Sequence, residues 1–83
     1  MSKIARSPRQ LGALIQRIRR EKGLSQTDAA RLVGLRQEMV SRIETGQPGV
    51  RLSAVYELLG ALGLELVVRE RSERSGADME DIF

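Results

Sequence analysis

The chain has 83 residues, enough for one ordinary domain and well short of the ~150 at which a second is expected. It is 41% hydrophobic but only 2% aromatic (Tyr56 and Phe83), so its core is aliphatic, and its net charge is +3. With no cysteine and no histidine it is excluded from disulfides, thiol or imidazole catalysis, and Cys- or His-ligated metal sites.

Residues 1–6 form an N-terminal arm. Ser7-Pro8 opens the first helix: Ser can cap it, and Pro suits the first position, where its missing N–H costs nothing. Leu11, Leu14, Ile15 and Ile18 follow at spacings of three and four, an apolar stripe on a helix running to about Lys22, and Gly23 stops it. Ser25 with Asp28 three residues on is a capping box with Asp for Glu; Ala29, Ala30, Leu32 and Val33 make a short second helix stopped at Gly34. A third helix spans roughly Gln37 to Thr45, with Met39, Val40 and Ile43 inward and Gly46 at its end. After the loop Gln47-Pro48-Gly49, Leu52, Val55, Leu58, Leu59 and Leu62 mark a fourth helix closed by Gly63. From Leu64 to Arg71 the period changes. Leu64, Leu66 and Val68 alternate with Glu65, Val67 and Arg69, as in a strand. Residues 72–83 are polar up to Ile82-Phe83 and read as a flexible tail.

Charge is unevenly divided. Residues 1–51 carry eleven Lys/Arg against four Asp/Glu, a balance of +7, and residues 52–83 carry three against seven, a balance of −4. A basic body with an acidic end suggests one surface for a polyanion and another for a different partner; the plainer alternative is that basic side chains merely solvate helices. No run approaches the ~18 apolar residues of a membrane span, and no signal-peptide core is present. The expectation is a soluble cytoplasmic protein without cofactor or metal. Carboxylates scattered over helix faces and the lack of a Gly-rich phosphate loop argue against an enzyme.

The spacing from Gln26 sharpens the reading. Ala30 lies four residues on, Gly34 eight, Val40 fourteen and Ile43 seventeen. Ala30 must be small where two helices cross steeply. Gly34 suits a turn with positive φ. Val40 and Ile43 anchor the third helix and leave its other face outward. Residues 24–35, Leu-Ser-Gln-Thr-Asp-Ala-Ala-Arg-Leu-Val-Gly-Leu, with 40–46, Val-Ser-Arg-Ile-Glu-Thr-Gly, resemble the lambda-repressor-like helix-turn-helix family of Xre/Cro type, over about residues 9–63. The resemblance implies an all-α domain of four to five helices at residues 7–63. It also implies a partly buried ion pair between Arg19 and Glu44.

In this class the third helix enters the major groove with its N-terminus leading. Arg36, Gln37, Glu38 and Ser41 are the base-reading candidates. Arg pairs with guanine, Gln with adenine and Glu with cytosine, and each good pair discriminates by ~1–3 kcal/mol. Arg42 is either a fifth reader or a phosphate contact. Glu38 either reads cytosine or bridges to Arg42 one turn on. Phosphate contacts are expected from Ser25, Gln26 and Thr27 at the start of the second helix and, by family analogy, from Thr45 and Gln47. Ser25 is also the natural cap, and the two roles are compatible.

A lone strand at residues 64–71 finds no convincing partner in its own chain, so pairing with a second copy through Leu64, Leu66, Val67 and Val68 is expected, fraying being the rival. A two-fold homodimer sets its reading helices about one DNA turn apart, ~34 Å, and predicts a palindromic operator. The helical domain, the strand and the polar tail together resemble HipB-type antitoxins. That implies autorepression and a HipA-like serine/threonine kinase toxin as partner, with Ile82 and Phe83 as a toxin anchor. A stand-alone Xre-type regulator is the near alternative, and a kinase-inhibiting module that never binds DNA is the distant one.

Overall fold

The computed structural model describes residues 3–71 of the chain. Four helices are present among them: α1 (Pro8–Glu21), α2 (Gln26–Leu32), α3 (Gln37–Glu44) and α4 (Leu52–Ala61). Each begins and ends within about a residue of where periodicity and glycines put it. Ser7 caps α1, its Oγ accepting from the Gln10 N–H at 3.1 Å, while Gln10 Oε1 accepts from the Arg6 N–H at 2.6 Å and pins the arm to the helix. At α2 both halves of the capping box form, each at 2.9 Å: Ser25 Oγ accepts from the Asp28 N–H, and Asp28 Oδ2 from the Ser25 N–H.

The helices also stop in one way. After α2, Gly34 takes φ +71°, and the next N–H, of Leu35, turns back to the Ala30 carbonyl at 2.9 Å. Equivalent bonds run from Leu24 to Arg19, Gln47 to Arg42 and Leu64 to Leu59. Such a closure carries an apolar residue back over the helix end. Leu24, Leu35 and Leu64 accordingly pack against the core. Three chain reversals thus add core surface that helix periodicity alone does not reveal.

The core is Ile15 from α1, Ala29 and Ala30 from α2, Val40 and Ile43 from α3, and Ala54, Val55, Leu58, Leu59 and Leu62 from α4 and its end. Ala30 is buried, as the close approach of α2 and α3 requires. Gly12 does the same for α1. A Cβ there would overlap the carbonyl oxygens of Ile43 and Glu44, so α1 lies directly on the C-terminal backbone of α3.

Residues 64–71 do not form a strand; among the described residues none does. The four helices agree with the all-α domain of four to five helices that the resemblance implies. A strand exists only through bonds to a neighbouring edge, and a single copy offers none. Instead the segment borders an open groove of about 890 Å³, together with the arm from Lys3 to Ser7, Leu11, Leu14 and Ile18 of α1, and Leu52 and Leu59 of α4. Leu52 of the predicted stripe belongs to this groove and not to the core: it is 65% exposed. The tail residues Ile82 and Phe83 lie outside the described residues.

Candidate nucleic-acid interface

Helix α3 divides its side chains cleanly. Val40, Ile43 and Glu44 are buried and Met39 is half-buried, whereas Arg36, Gln37, Glu38 and Arg42 are exposed, with Ser41 half-buried beside them. The five candidate readers therefore share one open edge of one short helix. Arg36, the N-cap, makes no side-chain bond to the helix end. Glu38 and Arg42 form no salt bridge among the described residues. An exposed pair one turn apart gains only ~0.2–0.5 kcal/mol, less than the cost of ordering two long side chains.

Both residues border an opening of about 370 Å³ that Arg36, Met39, Gly34, Leu35 and Arg51 complete. Three arginines thus line one cleft. Sequence reading misses Arg51. It stands nine residues beyond Arg42, and only the turn after α3 brings the start of α4, where Arg51 is the N-cap, back beside the reading edge.

Behind this edge runs a connected polar chain. Arg19 of α1 donates through Nε to Glu44 Oε2 at 2.6 Å and through Nη2 to Oε1 at 3.0 Å, a two-bond fork. Its Nη1 also reaches the Leu24 carbonyl at 2.7 Å, tying in the turn after α1. The pair is more deeply sealed than the partial burial expected: the two side chains are 7% and 0% exposed. Gln26 Nε2 then donates to Glu44 Oε1 at 3.0 Å, and Gln37 Nε2 donates to Gln26 Oε1 at 2.6 Å. Gln26, singled out for phosphate, bridges the buried carboxylate to a candidate base reader.

Burial pushes the Glu44 carboxyl up, but hydrogen bonds from Arg19 and Gln26 and the Arg19 charge outweigh it and hold the group below the usual range. The bond to Glu44 raises Arg19 against the cost of burial. Asp28 is lowered, first by the Ser25 backbone N–H and then by its hydroxyl. Both acids are therefore charged at neutral pH.

The remaining candidates differ in what they have to offer. Thr27 is exposed at the start of α2, and Gln47 is exposed beyond α3. Thr45 Oγ1 donates to the Ser41 carbonyl at 3.0 Å and also lies 3.3 Å from that of Arg42, so its proton is committed to the helix end. Ser25 is committed to its cap.

A helix, a tight glycine turn and a second helix with an open polar edge define a helix-turn-helix protein. The chain belongs to the helix-turn-helix domain family, which it matches over residues 10–78, and within it is HipB-like and of Xre type. Two uncharacterized HTH-type transcriptional regulators of Sinorhizobium fredii (strain NGR234) are relatives. One, y4mF, is 28% identical over 74 residues, covering 89% of this chain and 97% of the relative. The other, y4dJ, is 37% identical over 57 residues, covering 69% and 74%. Among solved structures, a chain of a HipB-O4 20mer complex matches with a TM-score of 0.78 at 25% identity, over 87% of this chain and all of that one. A chain of a HipA-HipB-O2-O3 complex matches equally, with the same score, identity and coverage. The family is one of regulators and not of enzymes, and no helix among the described residues is long and apolar enough to cross a membrane.

Proposed function

We propose that the protein is a cytoplasmic, sequence-specific DNA-binding repressor that acts as the antitoxin of a HipA/HipB-type module. The observation that carries the DNA reading is the open edge of α3, whose opposite face is sealed in the core. Arg36, Gln37, Glu38 and Ser41 read bases, and Arg42 reads a base or holds a phosphate. Among Ser25, Gln26, Thr27, Thr45 and Gln47, the exposed Thr27 and Gln47 hold phosphates through their side chains, Ser25, Gln26 and Thr45 stand beside them with side chains engaged inside the protein, and Arg51 joins them across the cationic cleft.

The homodimer forms through Leu64, Leu66, Val67 and Val68. Supporting this, Leu66, Val67 and Val68 are 42%, 76% and 97% exposed beside an apolar groove. Apolar side chains left that open at a groove edge are natural material for an interface. The likeness to a chain of the HipA-HipB-O2-O3 complex supports a HipA-like kinase as the protein partner, with Ile82 and Phe83 as a candidate anchor.

The test is selection of bound duplexes from a random library, followed by affinity measurements at several salt concentrations. A palindromic consensus is expected, with affinity falling ~10³-fold or more between about 50 and 200 mM salt. Salt-insensitive binding to a kinase with no selected DNA would support the interaction module and overturn the repressor. Co-purification of a HipA-like kinase from the native cell, lost on truncation after Arg71, tests the tail.

A further inference from the structure

We propose that Glu44, through its buried pairing with Arg19, is a positioning residue that sets which way the amides of Gln26 and Gln37 face, and thereby makes Gln37 select adenine over guanine. The inference rests on the DNA-reading edge proposed above. Its basis is the order of donors along the chain. Every N–H of Arg19 is a donor and an ionised carboxylate is acceptor-only, so the first link has one possible polarity. Two bonds from Arg19, one to each Glu44 oxygen, leave Glu44 Oε1 to accept from Gln26 as well, and Gln26 must turn its NH2 inward. An amide has a donor at one corner and an acceptor at the other. The Gln26 oxygen is therefore forced outward, and Gln37 must meet it with its own NH2.

One hydrogen of Gln37 Nε2 is consumed in this way. The other, beside Oε1, remains on the open edge, where Gln37 is exposed. Donor and acceptor side by side match adenine, whose N7 accepts and whose N6 amino group donates. Guanine offers two acceptors, N7 and O6, and its O6 would face the Gln37 oxygen. A freely turning glutamine could swing its NH2 toward guanine; one held by Gln26 cannot. A charge sealed in the protein core thus imposes a base preference two residues away, without touching DNA.

The experiment first locates the base pair whose preference Gln37→Ala abolishes in the selected operator. The ratio of affinities for adenine and guanine at that pair is then measured, with thermal melting run in parallel. The wild type is expected to favour adenine about tenfold or more. Glu44→Gln keeps the shape but turns an NH2 toward Gln26, reversing each amide in succession, so the ratio should fall below one. Gln26→Met breaks the chain without disturbing the ion pair, so the ratio should collapse to within about twofold, whatever happens to overall affinity; it keeps the test decisive if Glu44→Gln does not fold. Loss of a phosphate contact or of stability alone weakens both operators alike and leaves the ratio intact. A folded variant of either kind that keeps the wild-type ratio overturns the inference, as does a Gln37-dependent pair that is not adenine. Failure to select any operator overturns the repressor reading itself and the inference with it.

Discussion

Gly12 of α1 lies so close to the Glu44 backbone of α3 that a Cβ at residue 12 would meet the Glu44 carbonyl carbon at 2.7 Å and overlap its oxygen. Alanine would otherwise favour the interior of α1 by about 1 kcal/mol. Backbone cannot step aside as a flexible side chain can, and forced overpacking costs ~1–3 kcal/mol. The clash wins. Gly12→Ala should lose up to about 2 kcal/mol, a fall in Tm of as much as roughly 15 °C for a domain of this size. Gly60, in α4, has open space where a methyl group would stand, with nothing within 4 Å, and its φ is not positive, so Gly60→Ala should gain about 0.5–1 kcal/mol. Equal melting shifts for the two variants would sink the close-approach argument.

The Arg19–Glu44 pair ties α1 to α3 and, through the Leu24 carbonyl, to the turn before α2. Removing either partner leaves a buried charge unanswered, at a cost of ~3–5 kcal/mol. A domain this small has little more than that in total. Arg19→Ala and Glu44→Ala should therefore be barely stable, partly unfolded at room temperature and with melting shifted far down, read by circular dichroism. Native-like melting of either would show that the pair contributes little.

The same pair makes the fold acid-sensitive. Glu44 and Asp28 both have folded-state values below their ordinary 4.5 and 3.8. A lowered acid contributes stability that is present above its unfolded value and lost as pH falls through the folded one. The urea midpoint should thus hold as pH falls from neutrality to about 5, then drop toward pH 3. Asp28→Asn should remove only part of the drop, because the capping box is exposed while Glu44 is sealed. A midpoint unchanged down to pH 3 would contradict this account.

What sequence can and cannot disclose follows from how local each feature is. Ser25 and Asp28 are three residues apart, Gly34 directly follows α2 and its C-cap, and the apolar stripes repeat within single helices, so each is readable. The Arg19–Glu44 pair, spanning 25 residues, comes only from family resemblance. Gly12 gives one faint signal, a helix-interior glycine that needs a packing reason, but its partner backbone is about thirty residues away. Gln26 reads as a phosphate ligand until Glu44 and Gln37 are seen on either side of it. The alternation at residues 64–71 predicts a strand that the described residues do not form, because a strand is a relation between two chain segments and an alternating pattern discloses only one of them.

Arg51 gives the proposed interface a test independent of base reading. It borders the cleft with Arg36 and Arg42 but sits on α4, off the reading helix. As a phosphate contact, its loss should weaken all duplexes to a similar degree and reduce the salt slope by about one per protomer. Arg36→Ala, by contrast, should weaken binding and relax preference at one base pair. Competition binding at three salt concentrations separates them, and a changed consensus for Arg51→Ala would reassign it as a reader.

Val68 is 97% exposed and Val67 76%, so replacing either with aspartate removes nothing from the monomer core. If these residues pair two copies, Val67→Asp and Val68→Asp should each halve the mass seen by sedimentation while leaving the helical circular dichroism unchanged. A monomer engages one half-site at a time and forfeits the effective concentration of its twin, so operator affinity should fall by about a hundredfold or more. Single half-site duplexes should be bound as well by the variants as by the wild type, because the α3 edge is untouched. A dimeric mass retained in both variants would remove residues 64–71 from the interface and with them the spacing expected between half-sites.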